Sequence, residues 1–188
     1  KNLSKHLNYA SIPGTAVHEG FPGHFLQGAM SNRGSLVRLF SRGTETIEGW
    51  AHYCEEMMTE HGFIKDLESQ FMKVNDGIWR ATRIIVDVKL STGEMTFDDA
   101  VSMLMKEAGM SREAAVAEVR RYTMTPGYHL SYLFGKHLIL QLRSDIKKRM
   151  GKKFSEKLFH DTITTNGMLP IKLLREVFDT KLAEQGTK

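Results

Sequence analysis

Apolar residues recur at intervals of three and four along most of this chain, and no stretch alternates long enough to mark a strand. The clearest case runs from about Lys65 to Leu90. There Phe71, Val74, Ile78, Ile85 and Val88 fall on one helical face and are expected to be core. Breakers and caps supply the remaining boundaries. Gly14 and Thr15 open a first helix that runs towards Ser31-Asn32-Arg33-Gly34, and a short apolar stretch follows from Ser35 to Phe40. Thr44 or Thr46 is expected to cap a helix through Glu60. Ser91-Thr92-Gly93 ends the long helix, and Thr96 with Asp99 has the form of a capping box opening a helix through Ala108. Ser111 opens another, which stops before Thr125-Pro126-Gly127. Tyr128 to Met150 reads as a long amphipathic helix ended by Gly151. Ser155 starts the next, Asn166-Gly167 closes it, and Pro170 sits in the first turn of the last helix. The pattern predicts an all-α or nearly all-α fold, a single domain over residues 1–188.

Composition changes this picture little. A chain of 188 residues with 41% hydrophobic and 26% charged positions suits one globular domain with a real core. No apolar run approaches the roughly 20 residues of a membrane helix, so no membrane association is expected. The net charge of +4 is spread along the chain, and its one basic cluster, Lys147 to Lys153, reads as a helix end. Nucleic acid is therefore not an expected partner. Cys54 is the only cysteine, which excludes an internal disulfide. The chain begins with Lys and shows no signal peptide. It reads as part of a longer protein whose upstream domain is missing, leaving the compartment open with a slight lean to the cytoplasm.

The chemistry concentrates in His18-Glu19-Gly20-Phe21-Pro22-Gly23-His24. Zinc favours imidazole and carboxylate ligands, and a hydrolytic site keeps one position for water. The usual helical arrangement is H-E-x-x-H, with histidines one turn apart and the glutamate as base. Here position 22 is Pro, and the second histidine falls six residues after the first. On a regular helix the two would point roughly 120° apart. Pro22 cannot donate to the preceding turn, and Gly23 tolerates unusual backbone angles. A break at positions 20–23 would bring His24 back beside His18. By spacing alone, a surface histidine next to a helix-breaking Pro-Gly is equally open.

A second segment, Thr44 to Glu55, carries Glu48 at the start of a separate helix. A carboxylate from a second helix is the third ligand a two-histidine site needs. Glu55 lies on nearly the same face and can hold the free N–H of a ligand histidine. His52, one turn after Glu48, reads as a supporting residue or an alternative ligand. Gly49 inside the helix suggests close approach of another backbone.

These two segments, HEGFPGH and EGWAHYCEE, resemble the prokaryotic domain-of-unknown-function 885 family, whose pattern is HEAYPGH then EGWALYAE. The likeness continues through Trp79 to Asp87, Thr125-Pro126-Gly127, Leu130-Ser131-Tyr132, Phe159-His160-Asp161 and Asn166 to Pro170. It covers nearly the whole chain. That family looks like a distant relative of the gluzincins, metallopeptidases with two histidine ligands, a glutamate ligand and a glutamate base. The resemblance implies a helical metallohydrolase domain with its metal site between two helices, forming the C-terminal catalytic part of a longer chain. It implies His18, His24 and Glu48 as zinc ligands and Glu19 as base. Phe25 stands where the family often has a second histidine, and Ser91 where it often has another. Tyr132 is the choice for an oxyanion donor, with Tyr128, His129 and His160 as competitors. Arg80 and Arg83 share a helix face and can bind a substrate carboxylate, or pair with Asp76 or Asp87.

The expected function is zinc-dependent hydrolysis, with a peptide or other amide as substrate. The alternatives are a non-catalytic metal-binding scaffold, or a fragment that is inactive without its N-terminal part.

Overall fold

The structure is a computed structural model describing residues 8–186; residues 1–7 and 187–188 lie outside it. Among the described residues it is helical almost throughout, with no strand beyond an isolated bridge between Arg42 and Met168. No helix among them is long and apolar enough to cross a membrane. The helices are α1 (Ile12–Thr15), α2 (His24–Ser31), α3 (Leu36–Leu39), α4 (Thr44–Glu60), α5 (Leu67–Ser91), α6 (Phe97–Glu107), α7 (Arg112–Met124), α8 (Ser131–Met150), α9 (Glu156–Thr165) and α10 (Ile171–Gly186).

Most ends are set by the caps the sequence offers. The Asp66 carboxylate accepts from the Ser69 amide at the head of α5, and Ser111 and Ser155 do the same for α7 and α9. Thr96 and Asp99 form the expected reciprocal box on α6. The head of α4 differs from expectation: Gly43 is its cap, while the Thr46 hydroxyl donates to the Leu169 carbonyl 2.5 Å away. Thr46 is thus spent on tying α4 to the chain leading into α10.

Two apolar clusters hold the helices together. In the larger, Trp50, Tyr53 and Cys54 of α4 meet Ile139, Leu142 and Ile146 of α8, with Phe159 and Ile163 of α9 and Leu174 and Phe178 of α10 closing the far side. In the smaller, Val86 of α5 packs on Ala100, Val101 and Leu104 of α6 and on Ala115, Val119 and Tyr122 of α7. Truncating a buried aromatic such as Phe159 would cost about 3–5 kcal/mol.

One expectation about α5 is overturned. Phe71 and Val74 are 67% and 60% exposed, and Ile78, Ile85 and Val88 are also exposed. The face turned inward carries Ser69, Thr82, Arg83, Val86 and Asp87. Periodicity finds an apolar stripe, but the buried side of α5 is mostly polar: Ser69 and Arg83 line a cavity, Asp87 bonds the turn before α8, and Val86 joins the smaller cluster.

Candidate metal centre

The first predicted helix is broken between the two histidines. After α1 the backbone widens into π-helical turns over Ala16–Gly20, then Phe21 becomes extended and α2 begins at His24. The distortion begins earlier than positions 20–23. The Gly23 amide reaches back to the Val17 carbonyl at 3.0 Å. The turn is fastened from outside by Trp50, whose indole N–H donates to the Pro22 carbonyl at 2.9 Å. The His18 and His24 rings consequently meet edge to face, 4.9 Å between centroids.

α4 brings the carboxylates. Glu48 Oε2 lies 3.4 Å from His24 Nε2 and 3.8 Å from His18 Nε2. Ligand atoms about 2.1 Å from one tetrahedral metal sit about 3.4 Å apart, so this spacing suits a shared ion. The three residues offer atoms within 4.8 Å of one another, and Glu48 Oε2 is buried without a hydrogen-bond partner. An orphaned buried carboxylate oxygen facing two imidazoles is the donor arrangement a divalent metal satisfies.

The other atoms of these candidate ligands are held from behind. His18 Nδ1 lies 2.6 Å from Glu55 Oε1, and Arg80 Nη2 donates to that same oxygen at 3.0 Å. The Tyr128 hydroxyl donates to Glu48 Oε1. Burial works against protonation of His18, but the neighbouring Glu48 and Glu55 carboxylates outweigh it and lift the ring to about 9. Burial would likewise raise Glu48, yet His18, His24 and Tyr128 hold its carboxyl well below the usual range.

The turn before α8 is positioned by Asp87. Its carboxylate accepts from the amides of Gly127 and His129 at 3.0 and 3.1 Å, and Gly127 takes the left-handed conformation with φ of 80°. This turn presents Tyr128 to Glu48 and starts α8 so that the Tyr132 ring stacks over His18, 6.3 Å between centroids. Burial raises the Tyr132 pKa, with the nearby Glu48 charge adding to the effect, so its hydroxyl stays protonated at neutral pH.

A cavity of about 540 Å³ opens over the cluster. His18, His24, Glu48, Glu55, Tyr132, Arg80 and Arg83 line it, and so does Glu19, which is otherwise exposed.

Two weaker candidates are placed elsewhere. His52 is buried one turn along α4, outside both the cavity lining and the ligand cluster. His160 bonds Tyr53 through Nε2 at 2.8 Å and packs against Trp50 and Phe159 in the larger core. Arg80 pairs with Glu55 and more loosely with Asp76, at 3.8 Å; Arg83 does not pair with Asp87, whose oxygens are committed to the turn. The roles of Asp87 and of Tyr128 on Glu48 were not foreseen. Both depend on contacts across long stretches of chain. The visible signal was the Pro-Gly turn directly before two tyrosines four residues apart.

The arrangement defines a class: nearly all-helical proteins with a two-histidine, one-glutamate cluster beneath a polar cavity. The family described as "Bacterial protein of unknown function (DUF885)" matches residues 1–178, and this chain belongs to it. Two solved structures are similar. One is a "putative lipoprotein" from Colwellia psychrerythraea, 30% identical with a TM-score of 0.88, matched over 94% of this chain and 31% of its own. The other, from Shewanella oneidensis and described as of unknown function, is 32% identical with a TM-score of 0.83, matched over 92% of this chain and 32% of its own. The chain thus spans about a third of the length of each. No curated protein matches it significantly.

Proposed function

We propose that the protein is a metal-dependent hydrolase of peptide or related amide bonds, holding zinc through His18, His24 and Glu48 in the manner of a gluzincin. The observation that carries this reading is the convergence of two imidazoles and an unpartnered buried carboxylate oxygen within 4.8 Å, under a cavity that Glu19 also faces. A bound zinc ion supplies Lewis-acid polarisation of the scissile carbonyl and activation of a water. Glu19 follows His18 directly and opens to the cavity, where its carboxylate takes the proton from the attacking water and passes it to the leaving nitrogen. Tyr132 donates its hydroxyl to the developing oxyanion, while Tyr128 is committed to orienting Glu48. A site that only stabilised the fold would have no use for a free carboxylate beside its first ligand.

A second reading is a domain that folds and binds metal but needs the rest of a longer chain to close over its substrate. The threefold greater length of the solved relatives and the exposed apolar row on α5 favour it. Elemental analysis combined with hydrolysis of a peptide library tests the proposal. One zinc per chain with turnover that Glu19→Gln abolishes supports a hydrolase. Zinc without turnover supports the second reading or a scaffold, and no zinc uptake overturns the metal site.

A further inference from the structure

Arg83 stands apart from the other charged residues around the cavity. It is 3% exposed, yet its Nε and Nη2 have no hydrogen-bond partner. The neighbouring acids are committed elsewhere. Asp87, one turn along the same helix, is spent on the Gly127 and His129 amides. Glu55 serves His18 and Arg80, and Glu118 holds Arg121 at 2.7 Å. A buried cation with no counter-charge is costly unless something else supplies one.

What Arg83 does have is aromatic support. Its Cζ sits 3.6 Å from the Tyr132 ring centroid and 5.3 Å from that of Trp79. Stacking occupies the faces of a guanidinium and leaves its N–H edge, the part that grips a carboxylate with two parallel bonds. Arg83, Trp79 and Tyr132 all line the cavity that covers the metal cluster. The Tyr132 ring also stacks with His18, 6.3 Å between ring centroids. The guanidinium therefore lies within the sum of those two distances of His18. Extended chain spans about 3.3–3.6 Å per residue, so the separation is a few residues at most.

We infer that Arg83 is the receptor for a substrate carboxylate, and that the protein acts on peptides carrying that group within one or two residues of the bond cleaved. The carboxylate is either the peptide's free C-terminus or an acidic side chain beside the bond. This deepens the hydrolase reading and rests on it for the word substrate, but the anion site itself is tested by binding alone.

The experiment uses the whole chain loaded with zinc and carrying Glu19→Gln to arrest turnover. Three N-acetylated dipeptides are titrated: a free acid, its C-terminal amide, and an amide with glutamate as second residue. Binding is followed by calorimetry and by fluorescence, since Trp79 lies against Arg83. The free acid or the glutamate amide should bind at least tenfold more tightly than the plain amide, and which of the two wins identifies the source of the carboxylate. Arg83→Met, which keeps the apolar stem on Tyr132 and Trp79, should abolish the difference; Arg83→Lys should restore part of it. Zinc content should be unchanged in both.

Equal affinity for all three ligands, or no detectable binding at millimolar concentration, overturns the inference. So does discrimination that survives Arg83→Met. If Arg83→Met fails to fold, the acid-to-amide ratio of the parent protein and the response of Arg83→Lys still decide. Carboxylate selectivity without turnover by the Glu19 protein would count against hydrolysis by this chain alone and leave the anion site standing. Turnover without selectivity would do the reverse.

Discussion

Gly49 and Gly135 meet backbone to backbone where α4 crosses α8. A Cβ on Gly49 would lie 2.4 Å from the Gly135 carbonyl carbon, and one on Gly135 only 2.1 Å from the Glu45 carbonyl oxygen. Neither can be accommodated by turning a side chain, because both obstacles are backbone. This crossing sets the distance between Glu48, one residue before the contact, and Tyr128, which leads into α8 and bonds it.

Gly49→Ala is therefore expected to push α4 and α8 apart, at a cost of about 1–3 kcal/mol. Zinc affinity should fall with it, because Glu48 moves relative to both histidines. Gly77→Ala is the control: it lies inside α5 with open space around its Cβ and should stabilise by about 0.5–1 kcal/mol. Urea denaturation of the two variants checks the contrast, and a Gly49→Ala protein as stable as its parent would contradict it.

Glu55→Gln should weaken zinc binding roughly 10–100-fold without removing a ligand. Glu55 accepts from His18 Nδ1 and from Arg80 through one oxygen, which fixes the ring so that Nε2 faces the cluster. Glutamine can keep one contact but not the charge that both partners use. Competition with a chromophoric chelator measures the change. Unaltered affinity would mean that His18 is oriented by packing against Tyr132 alone.

Acid should unfold the protein partly through His129. This ring is 1% exposed, and burial, with Arg121 and Arg83 nearby, depresses its pKa to about 4, against about 6.5 when unfolded. Protons then favour the unfolded chain. Stability from His129 is complete above about 6.5 and is lost as pH falls towards 4, at most about 3 kcal/mol. His52, depressed by burial to about 3, adds a comparable loss down to pH 4 and a further one below it. Denaturation midpoints measured from pH 7 to 4 should fall steadily, and His129→Gln should flatten the curve. An identical slope in the variant would show that His129 is not buried neutral.

Much of this was legible along the chain because the signals were local. A capping box, a Pro-Gly after a histidine, and a glycine inside a helix each act on neighbours within a turn or two. Thr96, Gly23 and Gly49 accordingly do what their surroundings imply. The inner face of α5 was misread because an apolar stripe shows which side could be buried, not what lies opposite. Phe71 and Val74 face outward, whereas Arg83 and Asp87, polar and apparently superficial, are buried against the cavity wall and the turn before α8. His160 is half-buried and bonds Tyr53, away from the His18–His24–Glu48 group. In each case the deciding partner is distant in sequence.

The break between the histidines yields the most discriminating prediction. A Cβ on Gly23 would fall 1.9 Å from the His18 carbonyl oxygen and 2.3 Å from that of Val17. Both obstacles belong to the π-helical turn that carries His18, and the Gly23 amide bonds to one of them. Gly23→Ala must therefore open the turn and separate His24 from His18, although no ligand is altered. Zinc affinity should drop at least tenfold. The fold should survive, since both apolar clusters draw most of their area from α4 to α10. Gly20→Ala is the matching control, because a Cβ there meets nothing within 4 Å and its affinity should stay at the parent value. Metal titration paired with circular dichroism separates loss of the site from loss of the helices. A Gly23→Ala protein that binds zinc as tightly as Gly20→Ala would show that His24 does not depend on this turn, and would reopen the choice of the second nitrogen ligand.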